Sequence, residues 1–298
     1  MNYIAVDWGT SNFRALSVRD GVLIKSVQDS CGVGKCQQDV LPGMLKQQLL
    51  RLDDAYDEQL PVLLCGMIGS NIGIADAGYL DMPLSFSQLL GKGMKLPGIL
   101  PNPLTLRPGI CDKRVNEICR GEEMQLAGAL TLSDASTFAA VGTHSKWLKV
   151  KRSQQQVTGL QTLITGELYH LLLKHSVVGK GLPEQIPSTA AFQAGVERAL
   201  SVVQEEAELV TELFRCRGRY ILDALAKEDA ASWLSGLLMG YEIARGHPGG
   251  NKTVCFIGSE TLLPHYQQAC EISHLRCEVL PAESAMIAGL NEVFRHGE

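Results

Sequence analysis

The chain has 298 residues, 45% of them apolar and 20% charged, with a formal net charge of −5. That is a globular composition, long enough at roughly 100–200 residues per domain for two domains or one large α/β domain. A mildly acidic chain with no block of about five or six basic residues has little to set against a phosphate backbone, which argues against a nucleic-acid binder.

The apolar runs are too short to span a bilayer and no basic segment precedes them, so a cytoplasmic protein without membrane partners is expected. The nine cysteines are scattered, and the closest pair, Cys31 and Cys36, lacks a second pair or a histidine cluster at zinc-finger spacing. Reduced thiols and no zinc site follow.

Apolar runs at 3–6, 13–18 and 22–24 predict a three-stranded meander, its last turn formed by Asp20 and Gly21, a pair that tolerates the positive φ angles of a tight hairpin. Leu41, Met44, Leu45, Leu49 and Leu52 then recur at helical spacing. A buried strand at 62–65 runs into a glycine-rich loop at 66–73, and loops at the carboxyl ends of central strands are where α/β sheets bind ligands. The prolines and glycines of 91–112 predict an irregular excursion or flap. A helix opens at 120–123 with Glu122 and Glu123 in its first turn, where the helix dipole favours acids.

A strand at 138–141 and a phosphate-sized loop at 142–144 come next, and the domain boundary is placed just before them, giving domains of 1–136 and 137–298. The second half reads mainly helical, at 166–176, 189–204, 205–215 and 231–245, with Gly236 and Gly240 pointing to close helix packing. A strand at 254–257, a turn at Gly258 and Ser259, and helices at 261–271 and 283–295 complete the chain.

Gly32-Val33-Gly34-Lys35 fails as a Walker loop, because Cys36 stands where Ser or Thr belongs and position 29 is not glycine. A Rossmann fingerprint and a Gly-x-Ser-x-Gly elbow are also missing. What remains is Asp7 at a strand end, followed by Gly9-Thr10-Ser11-Asn12 and a second strand carrying Arg14. Loop amides and small hydroxyls suit phosphate oxygens, and a carboxylate suits a hydrated Mg²⁺. The alternative is an ordinary hairpin in which Asp7 satisfies local amides.

The ordered series Asp7-Trp8-Gly9-Thr10-Ser11-Asn12-Phe13-Arg14, Gly121-Glu122-Glu123, Gly142-Thr143-His144 and Gly258-Ser259 resembles the acetate kinase, sugar kinase, Hsp70 and actin superfamily. Glu122 stands where glycerol kinase-like enzymes carry Asp, and His144 replaces the last glycine of their second turn. Exopolyphosphatases of the superfamily also carry Gly-Glu-Glu. More narrowly, with the 66–73 loop, Pro108-Gly109-Ile110-Cys111, Arg120-Gly121-Glu122-Glu123, Leu163-Ile164-Thr165-Gly166-Glu167-Leu168 and Gly179-Lys180-Gly181-Leu182-Pro183 in order, the whole length resembles the 2-dehydro-3-deoxygalactonokinase family.

That resemblance implies an α/β, two-domain actin-like ATPase (ribonuclease H-like) fold, with mixed central sheets flanked by helices and the last helix near the interdomain hinge. It implies ATP-dependent phosphorylation of the terminal 6-hydroxyl of 2-dehydro-3-deoxy-D-galactonate to the 6-phosphate, with ADP released, in galactonate catabolism. ATP and Mg²⁺ are the implied cofactors and a small sugar acid the partner, while the oligomeric state, a homodimer included, stays open.

The resemblance also assigns roles. Asp7 takes the metal, Thr10, Ser11 and Asn12 line the β- and γ-phosphates, Gly142 and Thr143 form the second phosphate turn, and Gly258 and Ser259 pack on the nucleotide. Glu122 is the candidate general base, with Glu123 its rival, or both only complement a helix N-terminus. Arg14 adds charge near the leaving phosphate or is a structural ion-pair partner. Ser70 and Asn71 touch the substrate, and Thr165 binds it or merely caps its helix. His144 and Lys146 contact phosphate or sugar acid or lie on the surface. The substrate carboxylate needs a cation, for which Arg107, Arg114, Arg120 and Lys146 are the candidates. A superfamily phosphatase, marked by phosphate release without acceptor, and a nucleotide-gated binding protein, marked by slow ATP turnover, are the alternatives.

Overall fold

The first sheet is buried at its centre and alternates in exposure at its edge. In the computed structural model, which describes residues 1–91 and 93–296, β1 (Tyr3–Trp8), β2 (Phe13–Arg19) and β3 (Val22–Asp29) form the expected antiparallel meander. β1 is buried on both faces, whereas β3 at the sheet edge exposes alternate residues. Asp20 and Gly21 make the turn at φ of 52° and 79°. Helix α1 (Leu41–Leu50) buries Leu41, Leu45 and Leu49 against this sheet's core, and β4 (Val62–Cys65) lies parallel to β1.

Next come β5 (Tyr79–Asp81), β6 (Leu84–Ser85), α2 (Phe86–Leu90), β7 (Met94–Lys95), β8 (Leu104–Leu106), β9 (Gly109–Asp112) and β10 (Glu117–Cys119). The region expected to be an irregular excursion therefore supplies three strands, and β8 is wholly buried beside β4. Its prolines, at 97, 101, 103 and 108, fall between the strands, where a missing N–H removes no ladder bond. The main sheet runs β3-β2-β1-β4-β8-β7, and β10-β9-β5 form a smaller one. Helix α3 (Glu122–Leu132) follows.

β11 (Thr137–Ala140) leads into two strands that the periodicity did not disclose, β12 (Ser145–Lys151) and β13 (Gln156–Leu163). Then come α4 (Thr165–His175), α5 (Thr189–Gln204), α6 (Leu209–Ile221), α7 (Ala230–Gly246), β14 (Thr253–Gly258), α8 (Leu263–Ile272), β15 (Arg276–Pro281) and α9 (Ala282–Arg295). The helix expected at 205–215 starts later and runs longer, as α6. Glu206 takes φ of 51° and the Ala207 N–H donates to the Val202 carbonyl at 2.9 Å, closing α5 before a new helix begins.

The chain divides into two units. Unit 1 holds Met1–Asp134, Leu148–Leu160 and the chain from Ala282 on, and unit 2 holds Ala135–Trp147 and Gln161–Pro281. Part of the β12–β13 hairpin and α9 group with unit 1. For α9 the cause is backbone packing: a Cβ on Gly128 of α3 would collide with the Ala285 carbonyl, and one on Gly289 with that of Met124. Gly128→Ala is accordingly expected to destabilise the protein by about 1–3 kcal/mol. The measurement is a lower urea midpoint at unchanged m-value, and an unchanged midpoint would contradict this packing.

In unit 2, β14 lies between β11 and β15, parallel to both. Helices α5 and α7 pack as closely as Gly236 and Gly240 suggested, since a Cβ on Gly236 would strike the Phe192 carbonyl and one on Gly240 would stand 2.9 Å from Val196 Cα. All nine cysteines are free thiols, six of them buried. Among the described residues, no helix is long and apolar enough to cross a membrane.

Candidate functional site

The ladder places Asp7 of β1 opposite Arg14 of β2 on one side and Cys65 of β4 on the other. Arg14 Nη2 donates to Asp7 Oδ2 at 3.3 Å, and Nη1 lies 3.9 Å from Glu283 of α9. Asp7 Oδ1 has no hydrogen-bond partner among the described residues. It faces two glycines instead: a Cβ on Gly66 would stand 3.2 Å from it, and one on Gly121 3.8 Å. Both have positive φ, 88° and 108°, a conformation that suits glycine and keeps the space before the carboxylate clear. The Asp7 side chain keeps 24% of its surface open, yet the dense protein around it pushes its pKa up, against the lowering effect of Arg14.

Immediately after β1, the loop of Thr10, Ser11 and Asn12 is exposed. Gly32, Val33 and Gly34, the segment that fails as a Walker loop, strap it from behind. Their N–H groups donate to the carbonyls of Ser11, Gly9 and Thr10 at 3.0, 2.9 and 3.0 Å. With the carbonyls engaged, the N–H groups of Thr10, Ser11 and Asn12 have no backbone partner among the described residues. This is the arrangement an anion needs.

The start of α3 lies against the same spot, since Gly121 approaches both Gly66 and Asp7. Glu122 is half-buried and accepts from the Cys119 thiol at 3.4 Å. Glu123 is 1% exposed, its Oε2 accepts the Gly121 N–H at 2.5 Å, and its Oε1 is buried without a hydrogen-bond partner among the described residues. Burial, and next the charge of Glu122, push the Glu123 pKa from 4.5 up to about 8. A carboxyl that holds its proton longer folded than unfolded costs stability as pH rises between those two values. The melting temperature is therefore expected to fall from pH 5 to 8 more steeply in the wild type than in Glu123→Gln, and equal slopes would refute this.

The glycine-rich loop follows β4, the parallel neighbour of β1. Asn71 is exposed, but the Ser70 hydroxyl donates to the Met67 carbonyl at 2.7 Å and so shapes its own loop. Each candidate cation has protein partners. Arg120 donates to the carbonyls of Gly69 and Gly78 and lies 4.2 Å over the Tyr79 ring, bracing this loop. Arg107 donates to the Leu89 and Gly91 carbonyls, Arg114 is bidentate on Asp112, and Lys146, in unit 2, reaches Thr162 at 3.0 Å.

In unit 2 the loop of Gly142, Thr143 and His144 leaves β11, and Gly258 with Ser259 leaves its parallel neighbour β14. Pairing of Ala140 with Ile257 sets the two side by side. The Glu167 N–H donates to the Thr143 carbonyl, and His144 Nε2 lies 2.7 Å from the Glu167 carboxylate. The Ser259 carbonyl accepts from the N–H groups of Leu262 and Leu263, turning the chain into α8. Beside these loops opens a cavity of about 300 Å³ with Gly142, Thr165, Leu238, Met239, Leu262 and His265 among its walls.

Thr165 does not cap α4, whose N-cap is Ile164; its side chain hydrogen-bonds Glu242. Sequence reasoning missed the cavity walls on α7 and α8, and it missed Glu242. The signal for the latter was present: an acid four residues after Leu238 falls on the buried stripe of α7.

A family model described as 2-keto-3-deoxy-galactonokinase matches residues 7–293. The chain is 35% identical over 296 residues to the 2-dehydro-3-deoxygalactonokinase of Escherichia coli (strain K12), covering 98% of this chain and 97% of that one. A crystal structure of a Sinorhizobium meliloti protein, described as a candidate 2-dehydro-3-deoxygalactonokinase, matches with a TM-score of 0.86 at 29% identity over 98% of both chains. The activator of the 2-hydroxyisocaproyl-CoA dehydratase from Clostridium difficile, solved with bound ADPNP, matches with a TM-score of 0.53 at 10% identity, over 99% of this chain and 96% of its own. The fold is the α/β actin-like ATPase fold, with mixed sheets flanked by helices.

Proposed function

The chain belongs to the 2-keto-3-deoxy-galactonokinase family, and from that membership we propose that it is a sugar-acid kinase that transfers the γ-phosphoryl group of ATP to the 6-hydroxyl of 2-dehydro-3-deoxy-D-galactonate. The products are the 6-phosphate and ADP. The observation that carries this reading is the approach of the α3 start to Asp7: Gly121, directly before the half-buried Glu122, lies beside an Asp7 oxygen that has no hydrogen-bond partner among the described residues.

In this reading Glu122 accepts the hydroxyl proton as the sugar oxygen bonds to the γ-phosphorus, and the bond from that phosphorus to the bridging oxygen of ADP breaks. Glu123 is the positioning residue: its bond to the Gly121 N–H holds the turn that presents Glu122. Arg14 positions Asp7 through Oδ2, because its guanidinium is already engaged by Asp7 and Glu283. The residues fit a hydrated Mg²⁺, since Asp7 Oδ1 has no hydrogen-bond partner among the described residues and faces space that Gly66 and Gly121 keep clear. Bound there, the cation supplies positive charge against the transferring phosphoryl group.

The amides of Thr10, Ser11 and Asn12 receive the β- and γ-phosphates, and Gly142 and Thr143 supply the second phosphate turn. Gly258 and Ser259 flank the nucleotide without a bulky side chain, and the unit 2 cavity takes its adenosine end. Asn71 contacts the sugar acid from a loop that Ser70 and Arg120 hold in shape, while Thr165 is a wall of the nucleotide cavity and not a sugar contact.

The test is ADP release from MgATP with 2-keto-3-deoxygalactonate, run beside its gluconate epimer and a control without acceptor. Acceptor-dependent release is expected, strongest with the galactonate compound. Release independent of any acceptor would replace this reading with the phosphatase or the nucleotide-gated binding protein.

A further inference from the structure

Glu242 lies inside α7 with none of its surface exposed. Its carboxylate accepts the Trp147 indole N–H at 2.9 Å through Oε1 and the Tyr266 hydroxyl at 3.0 Å through Oε2, and the side chains of Thr165 and Ser145 also donate to it. All four partners are neutral. A carboxylate buried without a cation is costly unless its lone pairs are filled, and here four donors fill them. An apolar side chain of similar size would pack this spot without that demand, so the choice of an acid calls for a reason beyond filling volume.

The reason lies in what the donors belong to. Thr165 of α4 and Tyr266 of α8 line the unit 2 cavity, and the apolar wall residues Leu238 and Met239 stand one turn before Glu242 on the same helix. Ser145 and Trp147 open the strand that leaves the Gly142–His144 loop, and Ser145 Oγ also lies 3.4 Å from the Tyr266 hydroxyl. One carboxylate therefore holds α4, α7, α8 and the strand after the second phosphate turn in a single arrangement around the cavity.

We infer that Glu242 is a positioning residue for the nucleotide: it touches no ligand but fixes the cavity walls through Thr165 and Tyr266, so that ATP affinity depends on it. The inference rests on the reading of this cavity as the nucleotide site.

The experiment compares wild type, Glu242→Gln, Tyr266→Phe and the double variant in steady-state kinetics and in equilibrium dialysis against ATP. Glu242→Gln is expected to raise KM for ATP about five- to tenfold, with kcat and KM for the sugar acid within about twofold of wild type. A merely structural role would lower the active fraction, and so the apparent kcat, without moving KM for ATP. Tyr266→Phe, which keeps the carboxylate and its other donors, is expected to shift KM for ATP the same way. The double variant is expected to be no worse than the larger single change, because both break one network. An unchanged KM for ATP in folded Glu242→Gln, or in Tyr266→Phe should the first variant fail to fold, overturns the inference alone. Absence of ATP binding by the wild type overturns the nucleotide reading, and the inference with it.

Discussion

Glu122→Gln is expected to lower acceptor-dependent ADP release by about 10²- to 10⁴-fold, the range that loss of a positioned base produces. The substitution keeps the side chain's shape and its ability to accept from the Cys119 thiol, so a loss reports the proton acceptor and not a collapsed turn. Binding contacts are left in place, and the loss therefore belongs in kcat more than in KM for either substrate.

Glu123→Gln is the matched control. Glu123 is sealed from solvent, one oxygen is held by the Gly121 N–H, and its raised pKa keeps it largely protonated at neutral pH. None of that suits a base meeting a sugar hydroxyl, so this variant is expected to lose far less activity. If Glu123→Gln were the inactive variant and Glu122→Gln the active one, the two roles would be exchanged.

Much of the site was legible in the sequence because it is made of short-range signals. An acid at a strand end before Gly-Thr-Ser, a glycine-rich loop after a buried strand, and a Gly-Glu-Glu helix start each depend on neighbouring residues, and the parallel pairing of β1 with β4 brings the first two together. The Asp20-Gly21 turn was legible for the same reason.

What escaped depends on residues far apart in the chain. The pattern of 91–112 is dominated by prolines, and only pairing with β4 makes Leu104–Leu106 a buried strand. The grouping of α9 with unit 1 rests on Gly128 meeting Ala285 and Gly289, a contact no local period announces. Ser70 and Thr165 carry hydroxyls of the right kind in the right motifs, yet one is turned into its own loop and the other toward Glu242. The task of Gly32-Val33-Gly34, strapping the loop of residues 9–12, follows only from the hydrogen bonds.

Asp7→Asn separates the two readings that the sequence left open for the first hairpin. If Asp7 serves a divalent cation, activity is expected to fall by about 10²-fold or more, a loss equivalent to a few kcal/mol of transition-state stabilisation, and the residual activity to need more Mg²⁺. Stability is expected to move the other way. Burial raises the Asp7 pKa in the folded chain despite Arg14, so folding disfavours its charged form. That cost is present once pH exceeds the folded pKa and vanishes below the unfolded one. Asparagine removes it, and Arg14, with 24% of its side chain exposed and Glu283 at 3.9 Å, is not left stranded. Melting curves should therefore show Asp7→Asn at least as stable as wild type at pH 8, with any advantage gone near pH 4. An ordinary hairpin in which Asp7 merely satisfied local groups would give the opposite pair of results, a less stable protein that still turns over. An inactive variant with undiminished stability would mean that this buried acid is kept at the end of β1 for what it binds.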